Sequence, residues 1–203
     1  MTVDRSDQPN LLLLAIVFEG GMAVVAVALG LLLERPPLAQ IETTWEGALL
    51  GCVATLPLLV MLFALLRFNW APIAELRRLV REMVVPMFAG TGWLQIALIA
   101  ALAGIGEEML FRGVIQEAIS ARFAPWLGLL SASILFGLAH PISKAYGVLA
   151  GLMGFYLGLL AIVTDNLLVP IIAHGLYDFI ALLCLLHEAK NQDSPKPDAS
   201  AVS

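Results

Sequence analysis

Gly104-Ile105-Gly106-Glu107-Glu108-Met109-Leu110-Phe111-Arg112-Gly113 sets three formal charges inside an apolar chain, and the fold follows from how they are accommodated. A charged side chain at the centre of a membrane helix costs roughly 2.5–3.5 kcal/mol on insertion scales, so three unpaired ones would forfeit on the order of 8–10 kcal/mol. They need partners. In a helix Glu108 and Arg112 lie four apart on one face and can pair, whereas Glu107 points about 100° away and is left over. The unpaired carboxylate is the chemically informative one.

The surrounding composition is that of a membrane protein. Of 203 residues, 60% are hydrophobic and only 13% charged, with a mean hydropathy of +0.91, against about 25% charged in soluble domains. The length suits one compact bundle. A net charge of −5 and a pI near 5.1 give no basis for a nucleic-acid partner; the expected environment is the lipid bilayer. Cys52 and Cys184 sit in apolar runs without ligand-like neighbours and read as buried free thiols.

Working outward in both directions gives an all-α, polytopic membrane helical bundle with about six transmembrane helices and one amphipathic surface helix. The first run, Leu11 to Leu33, is interrupted by Glu19, whose carboxyl is expected to face the bundle interior. It is too long for a signal peptide and reads as a retained span. The second, Trp45 to Leu66, contains Pro57, a kink residue. Between Arg67 and Gly90, Glu75, Arg77, Arg78, Arg81 and Glu82 alternate with Ile73, Leu76, Leu79, Val80 and Val84 at helical spacing, as in a helix lying along a membrane surface. A third run from Thr91 to about Ser120 exceeds one bilayer crossing, and Gly104 and Gly106 are expected to break it just before Glu107.

The fourth run opens at Pro125-Trp126 and closes at His140-Pro141. The fifth, Ala145 to Val163, carries Gly147, Gly151, Gly154 and Gly158 on one face, a packing pattern. The sixth, from about Asn166 to Leu186, carries Pro170, His174 and Asp178. Residues 1–187 thus form a single transmembrane bundle, with the chemistry within 104–179, and 188–203 a polar, disordered tail. With the amino terminus inside, Arg5, Arg67, Arg77, Arg78, Arg81, Lys144, Lys190 and Lys196 face the cytoplasm and only Arg35 and Arg122 face out, so both termini are expected to be cytoplasmic. In that arrangement His140 lies near the inner end of its helix and His174 about 12 Å from the outer face; tilt, a broken third span or a re-entrant segment has to bring them together.

Glu107, His140, His174 and Asp178 are the candidate catalytic residues, with Glu108, Arg112 and Phe136 in support. One carboxylate and two imidazoles in a sheltered cavity suit hydrolysis in two ways. Glu107 can polarise a water as general base, or Glu107, His140 and His174 can hold a divalent metal such as zinc that acidifies a bound water. Neither HExxH nor GxSxG occurs.

Glu107-Glu108-xxx-Arg112-Gly113, then Phe136-xxx-His140, then Asn166-Leu167-xx-Pro170-xxx-His174-xxx-Asp178, resembles the ordered three-motif pattern of the CAAX protease and bacteriocin-processing (CPBP, Abi) family, which includes the Ras-converting-type prenyl endopeptidases. The resemblance covers about Glu107 to Phe179. It implies an intramembrane endopeptidase acting on a membrane-associated peptide or protein, lipidated or not, in a bacterial plasma membrane. Glu107 would activate water, His140 and His174 would line the site, and Asp178 would take a position where the family often carries asparagine. Two other classes compete: a proton-coupled transporter, since intramembrane carboxylates and histidines also mark ion pathways, and a non-catalytic immunity or scaffold protein of the same fold. No internal repeat of the transporter kind is visible between the two halves.

Overall fold

The computed structural model describes residues 8–67 and 71–193, and among them every regular element is helical. In chain order these are α1 (Gln8–Leu32), a short 3₁₀ turn (Pro37–Gln40), α2 (Trp45–Arg67), α3 (Ala71–Met83), α4 (Val85–Phe88), α5 (Trp93–Glu108), a π-helical stretch (Met109–Gln116), α6 (Glu117–Arg122), α7 (Pro125–Leu138), α8 (Lys144–Thr164) and α9 (Leu168–Asp193). Among the described residues, five segments are long and apolar enough to cross a membrane: Leu12–Leu32, Trp45–Arg67, Trp93–Arg122, Lys144–Thr164 and Leu168–Ala189. The sixth apolar helix, α7, has 14 residues, about 21 Å, and stops short of a roughly 30 Å hydrocarbon core. His140 lies two residues beyond its end, with its side chain partly buried.

Two boundaries differ from the sequence expectation. The third run does not break at Gly104 or Gly106; it continues for 30 residues and widens into the π-helical stretch immediately after Glu108. The glycines serve close approach instead: a Cβ on Gly104 would come within 2.8 Å of the Ile171 carbonyl oxygen and 2.9 Å of the Gly175 nitrogen, so α5 and α9 pack backbone to backbone. The last helix runs through Asp193, so residues 188–193, expected in the tail, are helical. The remainder of the expected tail, 194–203, and Arg5 and Lys196 of the orientation argument, lie outside the described residues.

Small residues also set the α7–α8 contact. A Cβ on Gly137 would meet the Gly147 carbonyl oxygen at 2.5 Å. Farther along the same glycine face of α8, bare backbone admits polar side chains: Arg112 Nη2 donates to the Gly154 carbonyl at 3.0 Å and Gln116 Nε2 to the Gly158 carbonyl at 3.1 Å. The face reads as packing, and two of its carbonyls also accept from the π-helical stretch, whose Arg112 Nε and Gln116 Oε1 have no partner among the described residues.

A second set of polar ties locks the α1–α2 connection to α9. The Asn166 side chain accepts from the Glu42 and Leu168 N–H groups at 3.0 and 2.9 Å and donates to the Glu42 carbonyl at 2.9 Å. Leu167 N–H donates to the Gln40 carbonyl at 2.8 Å, and Gln40 Nε2 reaches the Gly113 carbonyl at 2.8 Å.

Helix α3 is amphipathic as expected. Leu76 is buried, while Arg78 pairs with Glu75 at 2.7 Å and Glu82 at 2.8 Å on the exposed side, and its hydrogen bonds hold the Glu75 carboxyl below the usual carboxylate range. Cys184 is half-buried and Cys52 exposed; both are free thiols, but Cys52 faces outward from α2 rather than into the core.

At the centre, Arg112 Nη1 binds Glu108 Oε1 at 2.7 Å with both side chains fully buried. Two outcomes follow. Arg112→Met strands the Glu108 carboxylate and is expected to destabilise the bundle by about 3–5 kcal/mol, read as a lowered detergent melting midpoint. Gly137→Ala forces α7 from α8 and is expected to cost about 1–3 kcal/mol in the same measurement, with Ala substituted at the unpacked Gly20 as the neutral control.

Candidate active site

Glu107 occupies the last turn of α5, and its neighbour Glu108 anchors the site from behind. Glu108 Oε1 accepts from Arg112 Nη1 at 2.7 Å and from His174 Nδ1 at 2.8 Å. One carboxylate oxygen therefore fixes both a guanidinium on its own helix and an imidazole on α9. The guanidinium is held on a second side by Gly154 and lies 4.3 Å over the Phe136 ring, a cation–π contact in a dry setting.

Phe136 is the apolar hub. It is 1% exposed, packs edge-on against Phe111 at 5.1 Å between ring centroids, and contacts the His140 and His174 rings at 4.7 and 5.8 Å. Its carbonyl oxygen sits 2.7 Å from His140 Nδ1. A carbonyl only accepts, so Nδ1 carries the hydrogen and Nε2 is turned to the chamber.

The front of the site is the gathering that the sequence required. Glu107 Oε2 lies 4.0 Å from His140 Nε2 and 3.9 Å from His174 Nε2, and His174 Nε2 lies 3.4 Å from Asp178 Oδ2. All four expected catalytic residues and their three supports, Glu108, Arg112 and Phe136, thus converge. Glu107 Oε2 is buried and has no hydrogen-bond partner within the described residues. Exposure rises outward: His174 side chain 4%, Glu107 11%, His140 24%, Asp178 31%. The opening is a cavity of about 240 Å³ walled by His140, Tyr146, His174 and Asp178 on one side and by Leu76, Arg77 and Val80 of α3 on the other.

Among the described residues, no three His, Cys, Asp or Glu groups converge tightly enough to hold a metal ion. The spacings around Glu107 are too long for direct hydrogen bonds and are of the size that one bridging small molecule fills.

Three contributors were not assigned a role from sequence. Tyr146 and Tyr177 are apolar-looking positions in α8 and α9 that only the helix crossing brings to the chamber. The α3 wall is the third; its periodicity announced a surface helix, not what lies beneath its apolar face. Glu19, expected to face inward from α1, is half-buried, its Oε2 is without a partner among the described residues, and it stands within electrostatic reach of Glu107, Asp178 and His174.

Residues 88–180 match the family model described as type II CAAX prenyl endopeptidase Rce1-like. The uncharacterized protein YpbD of Bacillus subtilis (strain 168) is 36% identical over 88 residues, 42% of this chain and 42% of that relative, so the match spans less than half the relative's length. No solved structure matches the chain. The matched region begins before α5 and ends in α9; it holds Glu107, Glu108, Arg112, Phe136, His140, His174 and Asp178, while α1 and α2 lie outside it. The segment that builds the chamber, residues 88–180, is thus similar to the Rce1-like type II CAAX prenyl endopeptidases.

Proposed function

We propose that this protein is an intramembrane endopeptidase that hydrolyses a peptide bond of a membrane-associated substrate with a water activated by Glu107. The observation that carries the reading is the buried, unpartnered Glu107 Oε2, about equally far from the Nε2 atoms of His140 and His174. A water there reaches a carboxylate base and two imidazoles at once. Glu107 takes a proton from the water, the oxygen attacks the scissile carbonyl carbon, and on collapse the proton passes to the departing amine nitrogen. Glu108, held by Arg112, fixes the His174 ring so that its Nε2 faces this point, and the Phe136 carbonyl does the same for His140.

The reaction so written uses only this chain's own groups; were a divalent metal bound, Glu107, His140 and His174 would hold it and it would supply acidification of the water. In the orientation favoured by the basic residues, α3 lies on the cytoplasmic side and the chamber opens towards it. The natural setting would be a bacterial plasma membrane with both termini inside. The substrate would present an extended segment beside an apolar anchor, lipidated or helical.

The test uses purified protein in proteoliposomes with a library of membrane-anchored peptides. Wild type is expected to release peptides, and Glu107→Gln, which keeps the shape and removes the base, to lose 10²–10⁴-fold in rate with an unchanged melting midpoint. His140→Ala and His174→Ala are expected to fall comparably. Proton flux without cleavage would replace the reading with a transporter, and a cellular phenotype indifferent to all three substitutions would replace it with a scaffold or immunity protein. EDTA is expected to leave the rate unchanged; a loss restored by zinc would instead make Glu107, His140 and His174 metal ligands.

A further inference from the structure

A second cavity lies at the other end of the bundle. It holds about 220 Å³ and is lined by Gln40, Glu42, Arg112, Glu117, Asp165 and Asn166 among others. Glu42, Asp165 and Asn166 stand beside the start of α2, the end of α8 and the start of α9, whereas the chamber takes the last turns of α2, the first turns of α8 and the middle of α9. Along α8 alone, Tyr146 of the chamber and Ala161 of the far cavity are about 22 Å apart. The three carboxylates of the far cavity do not gather, among the described residues, into a set that could hold a metal ion. Its polar walls and volume suit several waters.

Little separates the two cavities. His174 lines the chamber, Arg112 lines the far cavity, and one oxygen, Glu108 Oε1, is bonded to both, at 2.8 Å to His174 Nδ1 and 2.7 Å to Arg112 Nη1. The Glu108 and Arg112 side chains are wholly enclosed, while Arg112 Nη2 and Gln116 Nε2 stitch the same helix face to the Gly154 and Gly158 carbonyls of α8. Along this line the partition is polar, closed to water and two hydrogen bonds deep. Its charges are also ordered. Glu42, Glu117 and Asp165 draw cations into the far cavity, Glu107 and Asp178 do so in the chamber opposite Arg77, and between them stands a guanidinium that keeps its proton.

We propose that Arg112 is an electrostatic plug that keeps protons from passing between the two cavities, a role separate from peptide cleavage. Polar cavities entering a bundle from both ends leave only a thin partition to carry the membrane potential. A fixed cation at the narrowest place repels any proton or metal cation that would cross it, as charged constrictions do in channels. Neutral polar groups at 108 and 112 would let water bridge the cavities; apolar ones would close the gap by excluding water.

The experiment reconstitutes wild type and three variants into liposomes loaded with a pH-sensitive dye, imposes a potential with potassium and valinomycin, and reads internal acidification. Wild type is expected to match protein-free liposomes. Glu108→Gln with Arg112→Gln, which strands no charge, is expected to speed acidification about tenfold or more, and Arg112→Gln alone to do the same, so the result is read in whichever neutral variant keeps cooperative melting. Glu108→Leu with Arg112→Met, equally uncharged but apolar, is expected to stay at the protein-free rate. A folded glutamine variant as tight as wild type overturns the proposal, as does an equal leak in the glutamine and the leucine–methionine variants, which would mark loosened packing. Leak in wild type overturns it too. No substrate enters the measurement, so its outcome is independent of the hydrolytic reading.

Discussion

The ion pair between Glu108 and Arg112 is the interaction on which the rest depends. Both side chains are fully buried, and further partners are needed to offset the cost of taking such a pair out of water. Arg112 is met by the Gly154 carbonyl and the face of Phe136, Glu108 by His174. Each of these partners comes from a different helix. The need to neutralise two charges in an apolar bundle therefore docks α7, α8 and α9 around the π-helical stretch, and the same docking aims His174 at Glu107. Stability and positioning share one network, and among the described residues Glu107 Oε2, Glu108 Oε2 and Arg112 Nε are its buried atoms without a hydrogen-bond partner.

The chain outside the matched region contributes by support. The turn after α1 is tied by Gln40 to Gly113 and Leu167, and Asn166 clamps the start of α2 to the start of α9. Helix α3 walls the cavity with an apolar face while its Glu75–Arg78–Glu82 triplet stays in water. Such an exposed triplet adds little to stability and serves better to keep the helix at the surface. The site consequently lies below a polar surface layer and beside an apolar wall.

Much of this was legible in the sequence because charges in an apolar chain are rare and costly. Glu107, Glu108, Arg112, His140, His174 and Asp178 stand out against their runs, and i, i+4 spacing alone gave the Glu108–Arg112 pair. The pattern could not say that Gly104 and Gly106 are close-approach residues rather than breakers, since glycine serves both purposes and only the presence of α9 against Gly104 and of α1 against Gly106 decides. It could not give the short α7 its depth, because an apolar run of 14 residues has no fixed register against a bilayer. Tyr146 was silent for a plainer reason: an aromatic near a helix start has the same signature whether or not it lines a cavity.

The central claim is that the convergence on Glu107 exists to cut peptide bonds in the membrane. Its most direct measurement is a mass-spectrometric comparison of peptide termini in membranes of cells carrying wild-type protein and cells carrying Glu107→Gln at equal abundance. The account predicts a set of new carboxyl termini, next to apolar or lipidated segments, present with wild type and absent with the variant. Identical termini in the two membranes would contradict it.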